Sequence, residues 1–255
     1  MERQARVNIV LDAILFILDP ANWPGINGIA ERLWQHLAYT GLSVGIALVI
    51  AVPLGLIIGH TGRGRRIVVV TTNAARALPT FGLLLFLVLI FGLGLWPLIV
   101  VLVIMAVPPI LAGVYAGVES VDRQTVDAAR AIGMTELQIV ARVEVPLALP
   151  LFVGGLRSAV LQVVATATIA GYVAGGALGR YLIEGLAVRD YARTIVGALL
   201  VTALALLAEA ILAIAQRLAV PRGVPRGTAR FTRTTLARPS GLSEHGAPVT
   251  KGISA

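Results

Sequence analysis

Apolar residues run in long, nearly uncharged stretches, broken at intervals by short segments that collect glycine, proline and arginine. A helix crosses the hydrocarbon layer in about 20 apolar residues. Stretches of that length lie at about 35–59, 67–91, 97–118, 147–174 and 194–216. The pattern predicts an all-α polytopic membrane protein with five transmembrane helices. Residues 1–34 hold a shorter apolar run, Ile9–Leu18, which carries Asp12 and ends at Asp19-Pro20. Trp23 and Trp34 suit a membrane–water boundary. This segment reads as an interfacial helix and turn, with a short extra crossing as the alternative. No small-residue cleavage site follows it, so a secretory signal is not expected. Gly41, Gly45, Gly55 and Gly59 form small-xxx-small pairs in the first span, which suit close helix contact.

Composition agrees with this reading. The chain is 57% hydrophobic and 13% charged, about half the charge of a soluble domain. Mean hydropathy is +0.88. The net charge of +8 comes from 20 arginines and a single lysine, Lys251. In a soluble protein that balance would point to nucleic acid. Here the charge lies between apolar runs and in the tail, so membrane topology and anionic lipid account for it and no nucleic-acid partner is expected. Arg63, Arg65 and Arg66 follow the first span, Arg123, Arg130 and Arg142 the third, and Arg217 onward the fifth. With five spans these segments share one side, which the positive-inside rule makes the cytoplasm. The C-terminus is therefore expected there, and residues 218–255 read as a disordered basic tail. There are no cysteines, and no histidine–carboxylate spacing suggests a metal site.

Residues 119–146 are charged and amphipathic, so they leave the membrane. Asp122 suits a helix N-cap, Gly133 a left-handed turn and Thr135 a second N-cap. Val126, Ala129 and Ile132 are expected to form the apolar side of the first helix, and Leu137, Ile139, Val140 and Val143 that of the second. Pro146 is expected to end the second helix and start the next span. Within this hairpin stand Asp127-Ala128-Ala129, Gly133 and Val143-Glu144-Val145-Pro146.

At these residues the chain resembles the permease subunits of ATP-binding-cassette (ABC) importers. Their signature is Glu-Ala-Ala, three residues, Gly, then nine residues before Ile/Val-x-Leu-Pro. The spacing is intact, with Asp127 for the glutamate and Val145 for the leucine. Ala75–Leu84, Val107–Ile110, Leu147–Pro150, Ala165–Ala170 and Gly175–Gly179 further resemble the glycine betaine, choline, carnitine and proline osmoprotectant permeases. The resemblance covers about residues 35–217 and implies a type I importer core. It makes the hairpin the coupling element for an ATPase, with Asp127, Ala128, Ala129, Gly133, Val143 and Pro146 as its marked positions. It also implies two ATPase copies carrying ATP and magnesium, a second permease copy or paralogue, and an extracellular or lipid-anchored binding protein in a bacterial cell membrane. Gly175, Gly176, Leu178 and Gly179 would lie where that binding protein docks, or else fill a flexible loop. The chain is expected to bind no cofactor and to be no enzyme. A phosphate-binding loop needs its lysine, and Lys251 has no such loop around it.

Charges inside spans are costly and usually face a cavity or a partner. Arg76 and Pro79 are candidates for a pathway or gate, as are Arg157 and Gln162; for both arginines a structural role is the simpler reading. Glu209 either pairs with an arginine or, with Arg76, serves a secondary transporter or ion channel. Tyr115, Tyr172, Phe81 and Phe86 look scattered and suggest no aromatic cage.

Overall fold

The computed structural model describes residues 2–218, with side chains described throughout except at residues 2–7, 75 and 76. The expected basic tail therefore lies outside the described residues, and so does the side chain of Arg76. The described chain is helical: α1 (Glu2–Leu18), α2 (Ile29–Thr61), α3 (Arg65–Ala77), α4 (Thr80–Phe91), α5 (Leu95–Glu119), α6 (Arg123–Ala131), α7 (Glu136–Ile139), α8 (Val145–Ala167), α9 (Ala170–Val173), α10 (Gly179–Val188) and α11 (Tyr191–Leu218).

The helices α2, α5, α11 and the stretch Glu136–Val173, which contains a short turn at residues 168–169, are long and apolar enough to cross a membrane. The remaining expected crossing, 67–91, is divided. It breaks between α3 and α4 at Leu78-Pro79, where proline supplies no N–H and bars the helical conformation from the residue before it. α2 begins at Ile29, so residues 29–34 form one helix with the first crossing. α1 packs beside α11, with Ala13 buried against Ile29, Tyr181 and Val196.

Helix α5 is the centre of the molecule. It is buried between α2, which runs parallel to it, and α8, which runs antiparallel. Lipid is as apolar as leucine, so helices in a membrane associate through close contact and not through the hydrophobic effect. Glycine permits that contact here. A Cβ on Gly55 or Gly59 would lie 2.7 Å from Val114 or Val118 of α5. A Cβ on Gly155 of α8 would lie 2.6 Å from the Pro109 carbonyl oxygen. Gly41 and Gly45 have no neighbour within 4 Å, so only half of the small-residue stripe in α2 is used inside the chain.

Two further departures from expectation have clear causes. Pro146 does not end a helix: α7 continues through a wide π turn at Val140–Glu144 into α8. The wider turn makes room for the proline ring opposite the carbonyl four residues back and absorbs the missing N–H. The connection between the fourth and fifth expected spans, residues 175–193, contains α10, which folds back on α11. Gly185 there sits against Thr194, and Gly197 of α11 against Leu182. Arg180 and Arg193 both pair with Glu184.

Replacing Gly155 by alanine is expected to force α5 and α8 apart, because backbone and not a yielding side chain stands in the way. Overpacking of this kind costs about 1–3 kcal/mol. Thermal melts of the purified protein should show the loss for Gly155→Ala and none for Gly45→Ala.

Candidate functional site

The α6–α7 hairpin is built as its residues dictate. The Asp122 side chain accepts from the Gln124 N–H at 2.9 Å and caps α6. Gly133 turns the chain at φ +86°, a region that costs other residues about 1–2 kcal/mol. Thr135 and Gln138 form a reciprocal capping box at the start of α7. Val126, Ala129 and Ile139 are buried with Val121, and Met134 and Val143 pack against them.

Ile132 and Leu137 are not part of this cluster. They are 80% and 79% exposed, against expectation. A residue six places after Val126 has rotated about 240° around the helix, so Ile132 leaves the apolar face that Val126 and Ala129 share. Asp127, Ala128 and Gly133 are also exposed. The hairpin thus presents an outward tip with two large apolar side chains flanking a glycine turn.

An ionic network ties this tip to the spans. Arg130 donates from Nε and a terminal nitrogen to the two Glu136 oxygens at 2.8 and 3.0 Å, and to Asp127 at 3.1 Å. Glu136 also faces His60 Nε2 at 3.1 Å, while His60 Nδ1 lies 2.8 Å from the buried Glu144. His60 is in the last turn of α2 and Glu144 ends the π turn. Only the imidazolium form can donate from both ring nitrogens. Hydrogen bonding from Arg130, reinforced by its charge and that of His60, holds the Glu136 carboxyl below the usual range. Glu136 in turn raises the Arg130 guanidinium further above its already high range. A lowered folded pKa stabilises fully above the unfolded value and is lost as pH falls through the folded one.

At the opposite end of the bundle lies a second polar cluster. Arg32 of α2 is 8% exposed. It donates to the Gly175 carbonyl at 2.9 Å, to Asn27 Oδ1 at 2.6 Å and to Gln35 Oε1 at 3.2 Å. That Gln35 oxygen accepts the Ala177 N–H at 3.0 Å. Tyr181 donates to the Asn27 carbonyl at 2.8 Å. The 174–179 segment is therefore clasped to the start of α2 and is not a loose loop. Gly176, Leu178 and Gly179 are buried, and only Gly175 of the four marked residues is exposed. Gly179 is obligatory, since a Cβ there would lie 1.8 Å from the Thr168 carbonyl oxygen.

The intramembrane candidates separate. Arg157 of α8 pairs with Glu209 of α11 through both carboxylate oxygens and donates to Gln216 at 3.1 Å. This is a bond between two helices, and it occupies the carboxylate that a secondary transporter would need. Gln162 lies elsewhere, on a cleft of about 270 Å³ that Thr72, Pro109, Gly113, Gly155 and Ser158 also line. Pro79 stands at the α3–α4 break. Arg32, His60, Glu136 and Glu144 were not marked from the sequence. Their partners lie far along the chain (His60 and Glu144 are 84 residues apart), and no local pattern announces such a pair.

A helical bundle with four helices long and apolar enough to cross a membrane, a further apolar run divided at Leu78-Pro79, and an anchored amphipathic hairpin leading into α8 is the architecture of an importer permease. The chain belongs to the family of binding-protein-dependent transport system inner membrane components, whose model matches residues 51–222. It is a multi-pass membrane protein and a permease subunit of an ABC importer. It is 32% identical over 195 residues to the choline transport system permease protein OpuBB of Bacillus subtilis, covering 76% of this chain and 90% of that one. It is 33% identical to the glycine betaine/carnitine/choline transport system permease protein OpuCB of the same organism, covering 74% and 88%. It is 32% identical to the osmoprotectant import permease protein OsmW of Salmonella typhimurium, covering 84% and 100%. The fold is similar to a chain of the MetNI methionine ABC transporter in an inward-facing conformation, with TM-score 0.65, 26% identity and coverage of 76% and 96%.

Breaking the hairpin network is expected to loosen the hairpin alone. In His60→Ala or Arg130→Ala, amide exchange across 123–144 should rise about two- to fivefold, corrected for intrinsic rates, with α5 unchanged. Lowering the pH through the Glu136 titration should do the same in the wild type. Removing the Arg32 side chain takes three charge-assisted hydrogen bonds out of the clasp. Arg32→Ala should lower stability by about 1.5–3 kcal/mol in a thermal melt and expose 174–179 to exchange.

Proposed function

We propose that this permease imports osmoprotectants of the glycine betaine, choline and carnitine kind, driven by separate ATPase subunits that grip the α6–α7 hairpin. The observation that carries the coupling role is the hairpin's exposed apolar tip, Ile132 and Leu137, on a base that cannot move alone. Its second helix runs without interruption into α8, and His60 ties it to α2. A displacement of the tip is then a displacement of two crossings. Two ATPase copies, each holding ATP and magnesium, would act on the hairpins of two permease chains.

The hairpin end faces the cytoplasm in this reading, as the arginines of 63–66, 123–142 and 217 onward require. The clasped end faces outward and receives a loaded binding protein. Arg32 is then the residue that shapes the docking surface around Gly175, since the other marked positions are buried. The solute would pass along the α3–α5–α8 cleft at Gln162 between two permease copies. ATP binding and delivery of solute bias one inward–outward equilibrium from its two ends. The names of the similar permeases support the substrate class.

The test uses the whole complex. Ile132→Glu and Leu137→Glu alter only exposed side chains, so the permease should reach the membrane in normal amounts. Co-purification of the ATPase and solute uptake should both fall at least tenfold. Uptake that continues without any ATPase would overturn the coupling role. Thermal stabilisation of the binding protein by glycine betaine, choline or carnitine should identify the solute, and indifference to all three would overturn the substrate class.

A further inference from the structure

Phe81 and Tyr172 lie 91 positions apart in the sequence, yet their ring centroids stand 5.6 Å apart with the planes at 64°. The structure thus assembles a pair from aromatics that look scattered along the chain. Phe81 is in the first turn of α4, just past the break at Leu78-Pro79. Tyr172 is in α9, just past the interruption that ends α8. Two broken helices meet through these two rings.

Both rings remain open on the surface of the chain, with Phe81 44% and Tyr172 58% exposed. Leu78 and Pro79, the non-helical residues beside them, are exposed as well. Lipid cannot satisfy freed backbone groups, so interrupted helix at membrane depth faces protein or a water-filled cavity. The non-helical backbone at Leu78-Pro79 therefore faces protein or a water-filled cavity, and the open rings stand beside it. An edge-to-face pair leaves ring faces uncovered, and those faces carry the negative end of the aromatic quadrupole. Among the described residues, the cation–π contact in the chain is elsewhere, with Arg193 over Tyr181. Two residues beyond Tyr172 the chain reaches Ala174 and then Gly175, whose carbonyl Arg32 holds. The pair thus sits just inside the clasped end of the bundle.

We propose that Phe81 and Tyr172 form a transit site for the quaternary ammonium group of the solute, next to the point of its delivery. This rests on the osmoprotectant reading above. A quaternary ammonium has no N–H to donate, so no ordinary hydrogen bond can hold it, and aromatic faces recognise it by cation–π attraction. Two partly wet rings hold such a group weakly. Weak holding suits a site that must release what it receives. The ring faces carry the interaction, and the Tyr172 hydroxyl plays no part in it.

The test is uptake of radiolabelled choline and glycine betaine by the complete complex in vesicles, at saturating loaded binding protein. Phe81→Leu and Tyr172→Leu keep apolar bulk and remove the ring. Each should lower the maximal uptake rate by about 2- to 30-fold, the range that one cation–π contact spans. Tyr172→Phe and Phe81→Tyr should restore it. ATPase co-purification and pairing of permease copies should stay at the wild-type level in all four. Leucine variants that transport at the wild-type rate would overturn the site. So would a phenylalanine at 172 as damaging as leucine, or a loss of transport that follows loss of subunit pairing, which would make the rings an assembly contact. A wild-type complex that carries neither solute overturns the substrate reading, and the site falls with it.

Discussion

Close approach of α5 to α2 and α8 is the constraint on which the rest of this structure depends. In lipid no hydrophobic force presses helices together, so backbones must come near enough for dispersion to act over a long seam. Gly55 and Gly59 of α2 and Gly155 of α8 allow this, and Gly113 and Gly117 answer from α5. Three helices locked in this way form a rigid frame with two working ends. The hairpin hangs from one end, because α2 ends just past His60 and α8 begins just past Glu144. The clasp closes the other, because α2 starts at Ile29 and α8 finishes near Thr168.

The two ends use different chemistry for physical reasons. The hairpin network of Asp127, Arg130, Glu136 and His60 is largely exposed, where single ion pairs contribute little and a linked set fixes orientation more than it stabilises. The clasp is buried. Arg32 there is itself cut off from water and is held by the Gly175 carbonyl and the side-chain oxygens of Asn27 and Gln35. An exposed, adjustable tip suits a docking element that moves with a partner. A buried clasp suits a surface that must keep one shape until a specific event opens it.

The frame also explains where the chain tolerates irregular backbone. The α3–α4 break and the end of α8 lie beside the frame, on a face that leaves Leu78, Pro79 and Tyr172 open. The π turn before Pro146 lies inside it and is absorbed without a break. Proline is thus read in two ways within one protein. At Pro79 it ends a helix, and at Pro146 a wider turn carries the helix past it.

By itself the sequence determined the crossings and the hairpin, because both rest on local periodicity. Four of the apolar runs overlap helices long and apolar enough to cross a membrane, and Asp122, Gly133 and Thr135 announced the caps and turn that the structure contains. Partnership across the bundle was decided only in the tertiary structure. His60 with Glu144, Arg32 with Gly175, Arg157 with Glu209 and Phe81 with Tyr172 are all separated by more than 50 positions. Side-chain pairing at that range depends on which helix faces meet, and glycine contacts with no pattern unique to them set that registry. Ile132 and Leu137 differ in this respect: helix periodicity already turns Ile132 off the face of Val126 and Ala129, whereas the packing of the short, tightly turned hairpin around Ile139 decides that Leu137 points outward.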